Sequence, residues 1–239
     1  DVDDAYANWL LERFESEGNR SPRGPIVVDP GNGCWAGRCG PFLKRLFPRS
    51  RIHLIHDRPD GTFPERNPDC SKAEYIDNLA AAVIARRADI GIAFDGDGDR
   101  VAFVDQSGSP LTGEESTWIL MQSLREELLG QEMVYDVKMS DVIAAAATDL
   151  GARPCVERSG HAFIRARMIA LDACFGAELS GHYFHRELDG GDDGLFTACR
   201  MITFLAAEDA PLSHLRLGCP AIFATSDLRL QVRSSDQDG

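Results

Sequence analysis

Ile90-Gly91-Ile92-Ala93-Phe94-Asp95-Gly96-Asp97-Gly98-Asp99-Arg100-Val101-Ala102-Phe103-Val104 decides how this chain is read. An apolar run enters the stretch and an alternating apolar run leaves it. Each flank reads as a short strand rich in branched and aromatic residues. Between them stand three aspartates at spacing two, separated by glycines. Carboxylates this close disfavour one another's ionisation, and a bound cation removes that penalty. Glycine tolerates positive φ and adds no side chain, so the backbone can curl until all three carboxylates converge. Oxygen-only ligands suit a hard ion, Mg²⁺ before Zn²⁺.

Three other readings compete. A solvated acidic turn between strands is the commonest use of Asp/Gly clusters, but a plain turn has little need of three alternating acids followed at once by arginine. A calcium EF-hand needs glycine at the sixth loop position and glutamate at the twelfth, between helices. Counted from Asp95, those positions hold Arg100 and Gln106, and the flanks are strand-like, so this reading fails. A phosphatase with Asp95 as nucleophile and Asp97 two residues on stays as an outside alternative; Asp99 stands where that pattern usually has Thr or Val.

Outward from the acidic loop, the pattern is α/β. Val2, Tyr6, Trp9, Leu10 and Phe14 fall at helical spacing, with acids at the start of the segment. Residues 26–29 read as a buried strand running into Pro30-Gly31-Asn32-Gly33, a tight turn to a helix reaching about residue 47. Residues 51–56 form a second strand. His53 and His56 on it would face opposite sides and read as structural. Ser71 with Glu74 has the spacing of a capping box for a helix over 71–87. After the two strands of the opening stretch, the turn at 107–110 marks a domain boundary.

Beyond that turn the pattern continues: a helix over 113–129, a strand ending at Lys138, and a helix capped by Ser140. A strand at 154–157, a helix over 162–170, a strand over 173–178 and a helix over 195–207 follow. Two consecutive α/β domains with mostly parallel mixed sheets are expected, 1–108 and 109–222, with 223–239 as a linker. In open α/β sheets, ligands sit outside the carboxyl ends of strands. Arg100, Lys138, His161 and the turn from Glu178 through Ser180 to His182 all fall there. Arg and Lys suit a phosphate; Glu, Ser and His suit sugar hydroxyls. Asp192 and Asp193 read as caps of the following helix, and His182-x-x-His185 is discounted as a zinc pair.

Composition narrows the classes. The 239 residues are 44% hydrophobic and 26% charged, with net charge −13. Such acidity argues against a nucleic-acid partner, which wants a basic surface, yet leaves room for a local phosphate pocket. No apolar run approaches membrane-span length and no signal peptide opens the chain. Seven cysteines without a CxxC pair read as reduced thiols, and a cytoplasmic setting is expected. The chain opens inside a helix without methionine, so residues upstream are expected to have been removed.

These motifs together resemble the α-D-phosphohexomutases, the phosphomannomutase/phosphoglucomutase enzymes. Asp95 to Arg100, Asp29-Pro-Gly-Asn-Gly33 and Pro59-Asp-Gly-Thr-Phe-Pro64 resemble the family's domain 2. Asp136-Val137-Lys138, Ser159-Gly160-His161, Glu178-Leu-Ser-Gly-His182 and Asp192-Asp193-Gly194 resemble its domain 3. The resemblance implies Mg²⁺ on Asp95, Asp97 and Asp99, and Arg100 and Lys138 near a transferring phosphoryl group. It implies His161 at the substrate, assisting proton transfer, and Glu178, Ser180 and His182 on the hydroxyls of a phosphorylated hexose. Family members carry a phosphoserine in domain 1 and a phosphate-binding loop in domain 4. No Ser-His-Asn-Pro segment is present here. The expectation is therefore domains 2 and 3 of a hexose phosphomutase, lacking domains 1 and 4 and inactive alone. A non-catalytic Mg²⁺ and sugar-phosphate-binding module is the alternative from another class.

Overall fold

The computed structural model describes residues 2–15, 21–208 and 210–222. In chain order these form α1 (Val2–Glu15), β1 (Ile26–Asp29), α2 (Cys39–Leu46), β2 (Ile52–Leu54), α3 (Asp77–Arg86), β3 (Ile90–Phe94) and β4 (Val101–Asp105). Then come α4 (Gly113–Ser123), α5 (Arg125–Leu128), β5 (Glu132–Asp136), α6 (Asp141–Asp149), β6 (Arg153–Glu157), α7 (His161–Leu171) and β7 (Phe175–Ala177). The last are β8 (Tyr183–His185), β9 (Gly191–Asp192), α8 (Gly194–Glu208) and α9 (Leu212–Arg216).

Two mixed sheets result, with strand orders β2-β1-β3-β4 and β6-β5-β7-β8-β9. The first three strands of each are parallel; β4, β8 and β9 are antiparallel additions. The expected α/β architecture with mostly parallel mixed sheets is what forms. In the central strands β1 and β3 every residue is buried, as expected for strands covered on both faces. One face of the first sheet, with Val27, Ala93 and Val104, packs on Leu79 and Val83 of α3. In the second sheet, Val134 and Phe184 pack on Ile164 and Met168 of α7.

The remaining faces share one core. It joins Ile26, Val28, Ile92 and Phe103 of the first sheet to Met133, Phe175 and Tyr183 of the second. Helix α8 fills the space between, packing against β3, β4, α1 and α4. Its Leu195, Phe196, Cys199, Met201 and Ile202 are buried. At roughly 1.5–3 kcal/mol per fully buried large apolar side chain, this shared layer holds the two sheets in a fixed relation. The sheets also touch directly, through a bridge between the backbones of Arg100 and His182.

Several local expectations change. Residues 33–38 are turns and α2 starts only at Cys39, because Gly37 takes φ +73°. Ser71 caps no helix: its hydroxyl and N–H both donate to Asp69, and α3 begins at Asp77 after a 3₁₀ turn. The capping box forms instead at Thr112 and Glu115, heading α4. The helix expected over 113–129 breaks at Leu124 into α4 and α5. Ser140 does cap α6, accepting from Val142. His56 pairs with Asp29 at 3.1 Å while His53 faces Arg86, so the two histidines diverge. The linker expected over 223–239 lies outside the described residues.

Candidate functional site

The acidic loop is built by Asp95, at the carboxyl end of β3. Its Oδ1 accepts from the backbone N–H of Gly98 at 2.9 Å and of Arg100 at 3.1 Å. Its Oδ2 accepts from Nε of Arg100 at 2.7 Å. The curl needs Gly98 at φ +84°, where an added Cβ would stand 2.4 Å from the Trp35 ring. Trp35 Nε1 donates to the Gly98 carbonyl and the Cys34 thiol donates to that of Asp97, so the turn after β1 props the loop from outside. Burial pushes the Asp95 carboxyl up to about 6, against the pull of Arg100.

The three carboxylates converge: Asp95, Asp97 and Asp99 each offer an oxygen within 4.8 Å of the others. Asp99 Oδ1 is buried with no hydrogen-bond partner among the described residues. Each oxygen of Asp95 keeps lone-pair capacity beyond its N–H donors. An all-oxygen, trianionic donor set with an unsatisfied buried atom fits a hard divalent cation. The same geometry tells against Asp95 as a phosphatase nucleophile. The residue is 1% exposed and both its oxygens already accept from Arg100 or Gly98.

Arg100 is held at both ends, by Asp95 and by Asp69, whose Oδ1 lies 3.1 Å from Nη1. Burial opposes the charge on Arg100, yet Asp95 and Asp69 raise its pKa further. Nothing in the sequence pointed to Asp69; its partner lies 31 residues on.

Across the bridge sits the turn after β7. His182 Nδ1 lies 2.9 Å from the Ser180 hydroxyl and 3.3 Å from Glu178 Oε2. Its Nε2 lies 3.4 Å from Asp99 Oδ1. Burial alone would lower the pKa of this imidazole; Asp99 and Glu178 outweigh it and push the value up to about 9. In return His182, against the effect of burial, holds both carboxyls below their usual range. His161, at the first turn of α7, meets the His182 ring edge-on with centroids 5.7 Å apart. Its Nε2 lies 3.0 Å from Asp192 Oδ1.

Asp192 is therefore not the helix cap expected of it. Asp193 takes that role, accepting the Phe196 N–H and the Tyr6 hydroxyl. Asp192 belongs to β9 and turns toward the two histidines instead. His185 is buried against Thr197 and takes no part.

Lys138 stands just past β5, exposed, its ammonium without an ion pair among the described residues. Its loop is nonetheless tied to the others by Asp136. That buried carboxylate accepts from the Lys138 N–H, the Ser159 hydroxyl and the Leu179 N–H. Glu178 Oε1 accepts from the Gly160 N–H at 3.1 Å. Arg100, His161, Glu178, Ser180 and His182 thus gather beside the acidic triad, with Lys138 on a loop anchored to the same frame.

Comparison with known proteins gives two adjoining family matches. Residues 4–108 match phosphoglucomutase/phosphomannomutase alpha/beta/alpha domain II and residues 112–221 match domain III. The chain is 33% identical over 208 residues to the phosphomannomutase/phosphoglucomutase of Pseudomonas aeruginosa, covering 87% of this chain and 44% of that relative. A solved phosphoglucomutase/phosphomannomutase family protein from Burkholderia thailandensis superposes with TM-score 0.80 at 31% identity, over 94% of this chain and 48% of that one. Aspergillus fumigatus N-acetylphosphoglucosamine mutase, solved with GlcNAc-6P and magnesium, shares the fold with TM-score 0.69 at 15% identity, over 90% and 52% of the two chains. The chain spans slightly under half the length of the curated relatives it matches.

Proposed function

The chain belongs to the phosphoglucomutase/phosphomannomutase family, as the family's second and third domains, and from that premise we propose that its parent interconverts 1- and 6-phosphorylated mannose or glucose. Residues 1–108 and 109–222 are read as these two domains. The observation that carries the reading is the bridge from Arg100 to His182. It sets the acidic triad and the Glu178–Ser180–His182 turn edge to edge, as transfer between a metal-bound phosphoryl group and a sugar requires.

In this reading Asp95, Asp97 and Asp99 hold Mg²⁺, which supplies charge neutralisation at a phosphoryl oxygen. Arg100, already clamped by two carboxylates, presents its guanidinium to the phosphoryl group without needing to reorganise. Lys138 adds a second positive charge from the facing loop. Glu178, Ser180 and His182 grip the sugar hydroxyls. His161, oriented by Asp192, stands where it can hand a proton to or from a hydroxyl. On this reading the 239 residues bind hexose phosphate, and turnover waits on a phosphoserine that none of their motifs resembles.

The test is calorimetry and turnover on the same 239-residue chain with mannose 1-phosphate and glucose 1-phosphate in Mg²⁺. Binding weakened by Lys138→Ala and Glu178→Gln, with no product formed, is expected. Mutase turnover at an ordinary enzyme rate, or binding indifferent to both substitutions, sinks the assignment.

A further inference from the structure

A second group of metal-capable atoms shares Asp99 with the triad. Asp99, His182 and Asp192 each offer one ligand atom, all within 4.8 Å. His182 Nε2 stands 3.4 Å from Asp99 Oδ1 and 3.9 Å from Asp192 Oδ2. These two carboxylate oxygens are both buried, and neither has a hydrogen-bond partner among the described residues. The Asp192 side chain is 8% exposed, so water does little to satisfy it. Leaving one such oxygen unmatched costs about 1–3 kcal/mol. Two orphans aimed at one ring nitrogen point to an occupant between them.

Both distances exceed the usual N–H···O range. Bonds of about 2.0–2.2 Å at tetrahedral angles set neighbouring ligand atoms roughly 3.3–3.6 Å apart; the Asp99 oxygen at 3.4 Å already stands at that spacing, and the Asp192 oxygen at 3.9 Å has to draw in to reach it. The surroundings prepare the donors as well. A proton on Nδ1 of His182, facing Ser180 and Glu178, leaves the Nε2 lone pair free. Asp192 Oδ1 is held by His161 at 3.0 Å, which turns Oδ2 inward; partners of this kind orient metal ligands.

We propose that Asp99, His182 and Asp192 form a second cation site, for a divalent first-row transition ion such as Zn²⁺, with Asp99 common to this site and the triad. One imidazole and two carboxylates favour such an ion over Mg²⁺, which prefers oxygen alone. The assignment stands on these three side chains and does not need the phosphomutase reading.

The probe is Zn²⁺ alone, titrated calorimetrically into the 239-residue chain carrying Cys34→Ser, Cys155→Ser and Cys219→Ser. Those are the thiols that are not fully buried, and replacing them removes competing thiolates. One Zn²⁺ per chain is expected. Asp192→Asn and His182→Gln each weaken it at least about tenfold, while Asp97→Asn changes it less than about threefold. No Zn²⁺ binding, or binding that survives both substitutions, or binding as sensitive to Asp97→Asn as to Asp192→Asn, overturns the site. Should a variant shift its urea midpoint, anomalous scattering from a Zn²⁺-soaked crystal of the parent chain decides. A peak beside Nε2 of His182 supports the proposal, and a peak confined to the Asp95–Asp97 side refutes it.

Discussion

Arg100 and His182 pair backbone to backbone as an isolated antiparallel bridge, with the Val101 N–H donating to the Gly181 carbonyl at 3.1 Å beside it. Both residues close a loop: Arg100 ends the acidic stretch and His182 ends the turn that follows β7. A main-chain tie at this point fixes the distance between the two loops independently of side-chain rotamers. Gly181 makes it possible, at φ +97° with an added Cβ only 3.1 Å from the Val101 carbonyl oxygen.

The acidic loop is as intolerant at Gly98. Gly98→Ala forces a left-handed backbone on a residue with a Cβ and drives that carbon into Trp35 and Cys34. A left-handed residue costs roughly 1–2 kcal/mol and a tight clash about 1–3 kcal/mol more. Urea unfolding of the variant is expected to show a loss of about 2–5 kcal/mol, with Mg²⁺ affinity falling alongside as the three carboxylates splay.

Arg66 should matter more to stability than any exposed pair. Its guanidinium donates to Asp29 Oδ2 at 2.8 Å and to backbone carbonyls of Asp29, Asn67 and Phe94. The two side chains are 3% and 0% exposed. Arg66→Met leaves a buried carboxylate with His56 and the Gly31 N–H on Oδ1 and nothing on Oδ2 among the described side chains, and breaking such a pair costs about 3–5 kcal/mol. Denaturant midpoints of the variant and parent at pH 8 measure this; a loss under 1 kcal/mol (roughly a surface pair's worth) would contradict it.

What could be read in advance follows the range of the interactions involved. The triad showed because its geometry is local: acids at spacing two, with glycine between, must converge or repel. The parallel strands showed because β1 and β3 are apolar throughout. Asp69 did not, and Asp136 showed only as part of a resembling motif and not as the tie it makes, since each acts on groups across space, Arg100 in one case and three separate loops in the other. Asp192 and Asp193 were indistinguishable as text. Only the pairing of β9 with β8 decides that one caps α8 and the other faces His161. Thr112 and Glu115 had the same capping-box spacing as Ser71 and Glu74. The local signal was equal, and Asp69 captured Ser71.

Asp69 is expected to separate positioning from stability. Its pair with Arg100 is part-exposed, 29% and 25%, so Asp69→Asn should cost less than about 1 kcal/mol of stability. The guanidinium then loses one of its two anchors and swings on Asp95 alone. Calorimetric titration with glucose 1-phosphate should show affinity reduced several-fold while the urea midpoint barely moves. An unchanged affinity would show that Arg100 needs no second anchor.

His185 predicts a pH dependence that can be isolated by substitution. Burial, and then the charge of Arg200, drive its pKa well below the ordinary 6.5, so the folded chain holds it neutral against Thr197. The unfolded chain takes up a proton near pH 6.5 and the folded chain does not. Stability from this residue is therefore complete above pH 6.5 and is lost as pH falls below it. The slope approaches about 1.4 kcal/mol per pH unit. Between pH 6.5 and 5 the parent should lose about 1.5–2 kcal/mol relative to His185→Gln. The comparison of slopes cancels the other titrating groups, whatever the absolute cost of the substitution.

Mg²⁺ and hexose phosphate should bind this chain cooperatively. The triad provides three oxygens from Asp95, Asp97 and Asp99, while Mg²⁺ demands six-fold coordination and usually completes it with water and substrate phosphate. Alone, then, the ion binds weakly. A phosphate monoester held by Arg100 and Lys138 places an oxygen beside the ion and cancels part of the charge repulsion on each side. Linkage requires the effect to be mutual: saturating glucose 1-phosphate tightens Mg²⁺ by the same factor that saturating Mg²⁺ tightens glucose 1-phosphate. Titrations in both orders measure that factor, expected at roughly 5-fold or more, and Asp97→Asn should bring it close to one. Equal Mg²⁺ affinity with and without the sugar phosphate would place the phosphoryl group away from the triad and sever the two halves of the proposed site.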